Sequence, residues 1–240
     1  MKASDNVRMK FNHLLILISI LFSISDRSYS QSSRPIGSTD SGHLINADCL
    51  PETGEGYMQL FRDVERIWGT MPLIDMIQKS AADLSRMFPK RDRLQVEEMS
   101  AKGGGRIDGH KSHTNGLDVD LGFFKADGIE HDPVAKKQHY ADPMVIDGKV
   151  SANFDIERNW EFMKALHRHG NVHKIFVDSV LKKELCKFAK SKNDYSGNIQ
   201  VLRSLRHEIN HADHLHVRLR CPANEKKCVN RPDPPAGSGC

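Results

Sequence analysis

The sequence predicts an α+β fold, in which helices and long loops flank a small antiparallel sheet that carries polar residues on one face. Apolar residues recur at helical spacing over residues 57–68 and 72–88, which predicts two helices. Apolar and polar residues instead alternate over residues 117–122 and 214–220, the period-two pattern of half-buried strands. We expect these two strands to lie side by side in the sheet.

The N-terminal half combines an irregular arm with the two helices and a strand. Residues 31–56 are rich in Ser, Gly and Pro and are expected to form an ordered loop or arm. The helices follow, and residues 93–99 are then predicted to form a strand that leads into the glycine turn at residues 103–105.

The C-terminal half begins with residues 125–152, a polar segment with two prolines that predicts a long surface loop or lid. Helices are predicted over residues 159–167 and 178–190, and a strand over residues 173–177. The final strand, residues 214–220, is expected to turn its alternate apolar residues toward the core: Leu215, Val217 and Leu219.

Residues 1–30 have the pattern of a secretory signal peptide. Three basic residues precede an apolar run over residues 14–22, and small residues at Ser28 and Ser30 suit cleavage before Gln31. The alternative is a membrane anchor, but this run is much shorter than the roughly 20 residues that a spanning helix needs. We therefore expect an exported chain.

The remaining residues, 31–240, are expected to form one domain. A chain of 240 residues with 38% hydrophobic residues can bury one substantial core. Loss of the signal peptide lowers the formal charge from +4 to +2, which does not suggest a nucleic-acid partner. No later segment is apolar enough to predict stable insertion into a membrane.

All five cysteines follow the predicted signal peptide, where disulfides persist. Cys221 and Cys228 can close a short loop, and Cys240 can tie the C-terminus to Cys186 on a predicted helix. Cys49 is then the unpaired cysteine. A cysteine-ligated zinc site is a poor alternative because the chain contains no Cys-x-x-Cys pair.

Residues 207–216 contain four histidines and two carboxylates, and they form two competing metal-binding patterns. On a helix, His207-Glu208-x-x-His211 would resemble the zincin motif, with two imidazoles on one face and the Glu as general base. On a strand, His214 and His216 would point to the same side of a sheet. The zincin interpretation lacks a third ligand and an apolar helix face, so we favour the strand.

The strand interpretation finds partners in residues 109–120. His113 lies in a loop bounded by glycines, and Asp120 lies on the strand that follows. With His216 from a neighbouring strand they supply two imidazoles and one carboxylate, the ligands of a catalytic zinc with a position left open. His214 would lie beside the metal as a proton acceptor. Taken singly, each of these residues has a plain structural explanation.

At these residues the chain resembles a known family. Gly-His-x-Ser-His-x-x-Gly-Leu-Asp-x-Asp at residues 109–120 and His-x-Asp-His-x-His-Val-Arg-Leu-x-Cys-Pro at residues 211–222 are similar to the penicillin-insensitive murein endopeptidases. These belong to a wider group of zinc peptidases that includes lysostaphin-type enzymes and D-alanyl-D-alanine peptidases. The resemblance extends from about Gly42 to the C-terminus.

The resemblance implies a zinc metallopeptidase of the periplasm that hydrolyses D-alanyl–meso-diaminopimelyl crosslinks of peptidoglycan through a zinc-activated water and is insensitive to β-lactams. It implies that His113, Asp120 and His216 bind Zn²⁺. His214 is then the base or the transition-state stabiliser, and His211 is a second catalytic imidazole.

The resemblance leaves several assignments open. His110 either completes the coordination of the metal or contacts a ligand. Asp118 and Ser112 either orient ligands or serve only as turn caps. The family's paired C-terminal cysteines also support the bonds Cys221–Cys228 and Cys186–Cys240.

The chain departs from the family pattern at two places, Asn210 and residues 64–69, and both departures put substrate fit in question. Two other functions are compatible with the same residues: a D-alanyl-D-alanine carboxypeptidase of the same fold, and a zinc-containing cell-wall-binding protein without turnover.

Overall fold

The computed structural model describes residues 32–134 and 142–240. The predicted signal peptide, residues 1–30, lies outside the described residues. The α-helices of the described ranges are α1 (Met71–Met87), α2 (Ile156–His169), α3 (Ser179–Ser191) and α4 (Ile199–Ser204).

The strands before α1 are β1 (Arg34–Ser38), β2 (Ser41–Ile45), β3 (Asp48–Cys49), β4 (Thr53–Gly54), β5 (Tyr57–Gln59) and β6 (Trp68–Gly69). Those after it are β7 (Leu94–Val96), β8 (Asp118–Gly122), β9 (Val145–Ile146), β10 (Lys149–Val150), β11 (Val172–Val177), β12 (Leu205–His207) and β13 (His214–Leu219).

One sheet dominates the fold, with the strand order β12-β11-β13-β8-β7-β5-β4. Its centre is antiparallel: β11 pairs with β13, β13 with β8, and β8 with β7. Parallel pairs, β11 with β12 and β5 with β7, flank this centre. The predicted α+β class is confirmed, and the antiparallel centre is the part of the sheet that bears the predicted site.

The alternation predicted for the last strand is confirmed by burial. Leu215, Val217 and Leu219 of β13 are buried in the main hydrophobic cluster, together with residues of all four helices. The register places His216 opposite Asp120 of β8, and Arg218 opposite Asp118. Burial of the apolar face against the helices therefore directs the polar face of both strands to the other side of the sheet.

Three of the predicted helices form close to the expected bounds. Pro72 lies in the first turn of α1, where a missing backbone N–H costs nothing. The Asp155 side chain accepts a hydrogen bond from the Arg158 N–H (3.1 Å) and so caps the start of α2. The Asp178 side chain accepts from the Val180 N–H (2.7 Å), which makes Asp178 the N-cap of α3.

The helix predicted over residues 57–68 is wrong. This segment contains β5, a single 3₁₀ turn at Arg62–Val64, and the beginning of β6. Phe61 and Glu65 flank the turn with φ of 49°, the left-handed region, which ends any regular helix. The helical spacing of apolar residues did not determine the structure of this short segment. β5 pairs with β7, and this pairing buries apolar residues of the segment instead.

The arm predicted over residues 31–56 is more regular than expected. It contains the hairpin of β1 and β2, which is anchored to the C-terminal segment through Gly37. The Gly37 N–H donates to the carbonyl of Lys227 (2.8 Å), and the Val229 N–H donates to the carbonyl of Gly37 (2.9 Å). The C-terminal segment is thus held beside the hairpin.

The loop predicted over residues 125–152 is described in part, since residues 135–141 lie outside the described ranges. Its second part forms the short hairpin of β9 and β10. Sequence patterns also missed α4 and β12, two short elements that precede the histidine cluster.

Two disulfides are present, Cys186–Cys240 and Cys221–Cys228, and both were expected. Cys49 is the free cysteine and is exposed. Among the helices that the structure describes, none combines the length and the apolar character needed to cross a membrane.

Candidate metal centre

The candidate site is built around one buried carboxylate, Asp120 on β8. Its Oδ2 atom lies 3.1 Å from Nε2 of His110 and 3.3 Å from Nε2 of His113. Its Oδ1 atom lies 3.1 Å from Nδ1 of His216 and 3.9 Å from Nε2 of His214. Strand pairing brings His214 and His216 to Asp120 from β13, whereas the loop before β8 brings His110 and His113.

The loop that carries His113 is held by hydrogen bonds of its backbone. The His113 N–H donates to Oδ2 of Asp118 (3.1 Å), and the Ser100 hydroxyl donates to the carbonyl of His113 (2.5 Å). His113 adopts φ of 66°, a left-handed conformation that is uncommon outside glycine. This conformation turns the completely buried imidazole toward Asp120.

The polar atoms at the centre of the site have the properties of metal ligands. Within the described residues, both ring nitrogens of His113 and Oδ1 of Asp120 are buried without a hydrogen-bond partner. Leaving a buried polar atom unsatisfied costs about 1–3 kcal/mol, and a bound metal ion would satisfy Oδ1 of Asp120 and one ring nitrogen of His113. His110, His113 and Asp120 each offer one ligand atom, and these atoms lie within 4.8 Å of one another.

The charges at the site favour the ligand forms of these two residues. Burial lowers the pKa of His113, which favours the neutral imidazole that binds metals. Burial alone would raise the pKa of Asp120, but His113 and His216 outweigh it and hold that pKa well below its usual range. Asp120 is therefore a carboxylate at neutral pH.

His216 is oriented from behind by Asp118. Its Nε2 lies 3.0 Å from Oδ1 of Asp118, and that oxygen also accepts a hydrogen bond from Nε of Arg218 (2.7 Å). Burial opposes ionisation of Asp118, but Arg218 and His216 lower its pKa, so Asp118 acts as an acceptor. The His216 Nε2–H then donates to Asp118, and Nδ1 faces Asp120. Metal-binding histidines commonly have this arrangement.

His211 and His214 lie next to the ligands. Nδ1 of His211 is 2.8 Å from the Ile209 carbonyl, so it donates, and burial lowers the pKa of this histidine. Nδ1 of His214 is 2.7 Å from Oδ1 of Asp213. Burial lowers the pKa of His214, but Asp213, Asp120 and Glu97 raise it to about 9.

The zincin pattern does not form. His207 ends β12 and is exposed, and its Nδ1 accepts a hydrogen bond from the Ser179 N–H (3.1 Å). Asn210 has φ of 64°, so residues 207–211 are not helical. His211 reaches the site from the connection between β12 and β13, as a neighbour of His214 at 4.9 Å between ring centroids.

A cavity of about 590 Å³ is lined by five residues of the predicted site: His110, Asp120, His211, His214 and His216. Ser112, which the sequence suggested as a ligand-orienting residue or a turn cap, also lines this cavity, next to Lys111. The other lining residues include the apolar Phe61, Phe176 and Ile209 and the charged Asp40, Glu97, Glu208, Arg218 and Arg231. One wall of the cavity carries candidate metal ligands, among them His110, Asp120 and His216.

Sequence patterns assigned no specific role to three residues that contact the predicted site: Arg66, Glu98 and Asp213. A signal existed for two of them, because Glu98 lies within the strand predicted over residues 93–99 and Asp213 directly precedes His214. Arg66 left no signal, since it lies 32 residues from the carboxylate that it pairs with.

Comparisons with known proteins give consistent results. A family model described as penicillin-insensitive murein endopeptidase matches residues 35–240. A protein of that name from Escherichia coli O157:H7 is 31% identical over 211 residues, which cover 87% of this chain and 74% of the relative. Proteins of the same name from Escherichia coli K12 and Shigella flexneri serotype 5b are 32% identical over 212 residues, with the same coverage.

Proposed function

The chain belongs to the penicillin-insensitive murein endopeptidase family, and from that premise we propose that it is a zinc-dependent periplasmic hydrolase of peptidoglycan crosslinks. The proposed substrate is the D-alanyl–meso-diaminopimelyl bond of crosslinked muropeptides. The observation that carries the proposal is the contact of one buried carboxylate, Asp120, with three imidazoles, those of His110, His113 and His216.

His113, Asp120 and His216 are the proposed ligands of Zn²⁺, with His110 as a fourth candidate. Nitrogen and carboxylate donors of this kind suit zinc, and an imidazole whose other nitrogen donates to a carboxylate, as in His216, is a common zinc ligand. Bound zinc would supply a Lewis acid that polarises the scissile carbonyl and makes water acidic enough to attack near neutral pH.

His214 is the proposed proton acceptor. Asp213 holds its Nδ1 at 2.7 Å, which leaves Nε2 on the side of Asp120. A carboxylate in this place fixes the tautomer of the ring and stabilises the imidazolium that forms when the ring takes a proton. Asp120 is among the groups that raise the pKa of His214. As a metal ligand, Asp120 would have part of its negative charge neutralised by the cation, so it would raise that pKa less.

His211 is the proposed second catalytic imidazole. Its Nδ1–H is engaged by the Ile209 carbonyl, so the neutral ring carries its lone pair on Nε2, and the residue lines the cavity. It can accept a proton and return it to the leaving amine, or donate a hydrogen bond to the oxyanion once protonated.

Two further properties follow from this proposal. Water rather than a serine attacks the substrate, so β-lactams, which trap a nucleophilic serine, should not inhibit the enzyme. Export through the predicted signal peptide would bring the chain to the periplasm, an oxidising compartment in which the two disulfides persist.

The proposal is tested by metal analysis of the purified protein combined with mass spectrometry of digested crosslinked muropeptides. We expect about one zinc ion per chain in the active site and conversion of dimers to monomers, which chelation abolishes and penicillin does not affect. Activity that survives complete chelation, or that penicillin abolishes, would contradict the proposal.

The same digestion separates the other functions. Release of free alanine without conversion of dimers would indicate a carboxypeptidase. Binding of muropeptides without any product, unchanged by His214→Ala, would indicate a cell-wall-binding protein.

A further inference from the structure

Both ring nitrogens of His110 contact groups that Arg66 also contacts. Nδ1 of His110 lies 3.2 Å from the carbonyl of Asp108, and Nε2 lies 3.3 Å from Oε2 of Glu98. Nη1 of Arg66 donates to that same Asp108 carbonyl (2.9 Å) and pairs with Oε1 of Glu98 (2.5 Å). Arg66 therefore contacts two of the groups that hold His110, the Asp108 carbonyl and Glu98.

The hydrogen bonds determine which nitrogen of His110 is available to a metal. A carbonyl can only accept, so Nδ1 carries the proton that His110 donates to Asp108. Nε2 is therefore the nitrogen that faces the two carboxylates, Glu98 at 3.3 Å and Asp120 at 3.1 Å, and in the neutral ring it carries the lone pair. The two carboxylates and Nε2 of His110 face one another, and this arrangement favours a positive charge between them.

Stability alone does not explain the Arg66–Glu98 pair. The side chain of Glu98 is only 2% exposed and that of Arg66 is 19% exposed, so both charges are largely withdrawn from water. A buried ion pair of this kind often contributes nothing to stability relative to apolar residues, because desolvation offsets the attraction. The pair is therefore better explained by what it positions.

The backbone places Glu98 beside the site independently of Arg66. The Asp120 N–H donates to the carbonyl of Glu98 (2.8 Å), and the Glu97 N–H donates to the carbonyl of Asp120 (2.9 Å). Glu98 thus continues the pairing of β7 with β8 directly opposite the central carboxylate. A change at Glu98 would act on His110 within a fixed local backbone.

We propose that Arg66 and Glu98 are positioning residues that hold His110 as a ligand of the metal centre. This inference rests on the proposed function, since it assumes that zinc binds at Asp120. Arg66 orients Glu98 and the Asp108 carbonyl, these two groups orient the imidazole, and the negative charge of Glu98 strengthens the binding of a cation at Nε2.

The test is the affinity of the whole protein for Zn²⁺, measured by competition with a chromophoric chelator. Glu98→Gln keeps the shape of the side chain and removes its charge, and we expect the dissociation constant of zinc to rise about 10- to 100-fold. Glu130→Gln is the matched control, because Glu130 also pairs with an arginine, Arg93, away from the site. The control should bind zinc as the wild type does.

A double-mutant cycle with His110→Ala separates positioning from a general effect. If Glu98 acts through His110, Glu98→Gln should cause little further loss of zinc affinity once His110 is alanine. An equal loss in both backgrounds, or no loss in either, would overturn the inference. If Glu98→Gln does not fold, Arg66→Lys replaces it in the same cycle, since lysine retains the charge but not the paired geometry that contacts both groups.

The two proposals fail in different ways. A wild-type protein that takes up no zinc at this site would refute the proposed function itself. Wild-type zinc binding and hydrolysis, with unchanged affinity in Glu98→Gln, would refute only the role of Arg66 and Glu98.

Discussion

A single buried carboxylate, Asp120, accounts for much of the electrostatics of the site. It lies close to four imidazoles, and it remains ionised although it is buried. Burial of an uncompensated charge is costly, so the positive charge of neighbouring groups or of a metal is required there. Substitution of the histidines that contact Asp120 should therefore have a different effect from substitution of His207, which shares only the sequence segment 207–216 with them.

His216→Ala and His207→Ala test this distinction. His216 contacts Asp120 and is held by Asp118, so its loss should reduce zinc affinity by more than about 100-fold and abolish hydrolysis. His207 is exposed and only accepts a hydrogen bond from the Ser179 N–H, so its loss should leave both unchanged. Zinc content and muropeptide cleavage of the two variants check this. Equal losses in both variants would restore the zincin interpretation.

Asp213→Asn tests the orientation of His214. An amide retains the shape of the side chain but has no charge to stabilise the imidazolium, so kcat should fall about 10- to 100-fold while zinc content stays constant. Steady-state kinetics and metal analysis of the same preparation measure both quantities. Unchanged kcat would exclude His214 as a proton acceptor supported by Asp213, and loss of zinc would indicate a structural effect instead.

At the scale of secondary-structure elements, the function depends on the register of two strands. β8 and β13 place Asp118 opposite Arg218 and Asp120 opposite His216. A shift of one residue would exchange the two faces of β13 and bury its histidines in the core. The apolar residues of β13 therefore determine the position of the site as much as the histidines do.

The contact between α2 and α4 makes stability dependent on pH. Nε2 of His167 on α2 donates to the hydroxyl of Ser204 on α4 (2.8 Å), which itself donates to the Val201 carbonyl (2.7 Å). Burial lowers the pKa of His167 from 6.5 to about 4. Between these values the unfolded chain binds a proton that the folded chain does not, so this contribution is complete above pH 6.5 and is lost as the pH falls toward 4.

His167→Gln can keep the hydrogen bond to Ser204 and removes the titration. We expect the free energy of unfolding of the variant to fall less steeply than that of the wild type between pH 6.5 and 4, by up to about 1.4 kcal/mol per pH unit. Urea unfolding at a series of pH values measures both slopes. Parallel profiles would show that His167 titrates normally in the folded protein.

At the scale of the whole molecule, the two disulfides tie the C-terminal segment to different parts of the fold. Cys186–Cys240 joins α3 to the end of the chain across 54 residues, whereas Cys221–Cys228 closes a loop of 7 residues. The smaller loop also contacts the first hairpin, where Arg34 pairs with Glu225 at 2.6 Å.

Loop closure predicts unequal contributions of these bonds to stability. The longer loop should stabilise the folded state by about 4 kcal/mol and the shorter by about 2 kcal/mol, because a bond across more residues removes more entropy from the unfolded chain. Urea unfolding of Cys186→Ser/Cys240→Ser and of Cys221→Ser/Cys228→Ser compares them. The reverse order would mean that contacts of the short loop with the hairpin outweigh loop closure.

Much of the site could be predicted from the sequence because it depends on patterns among residues that are close together in the chain. Alternation of apolar and polar residues depends only on the pleat of a strand, so β8 and β13 and their polar faces follow from neighbouring residues. The spacing of histidines and carboxylates within residues 109–120 and 211–216 then indicates metal chemistry, and the helix over residues 72–88 follows from a long, regular pattern.

Contacts between distant segments were decided only by the tertiary structure. Residues 57–68 fit a helical pattern, but pairing with β7 overrode it, since short apolar runs satisfy either periodicity. The pairing of Arg66 with Glu98, and of both with His110, has no local signature, because an ion pair depends on where the fold brings two side chains together. The sequence by itself determined the chemical types at this site and the strands that bear them. The folded chain alone decided how the predicted imidazoles are arranged around Asp120 and which charged residues hold them in place.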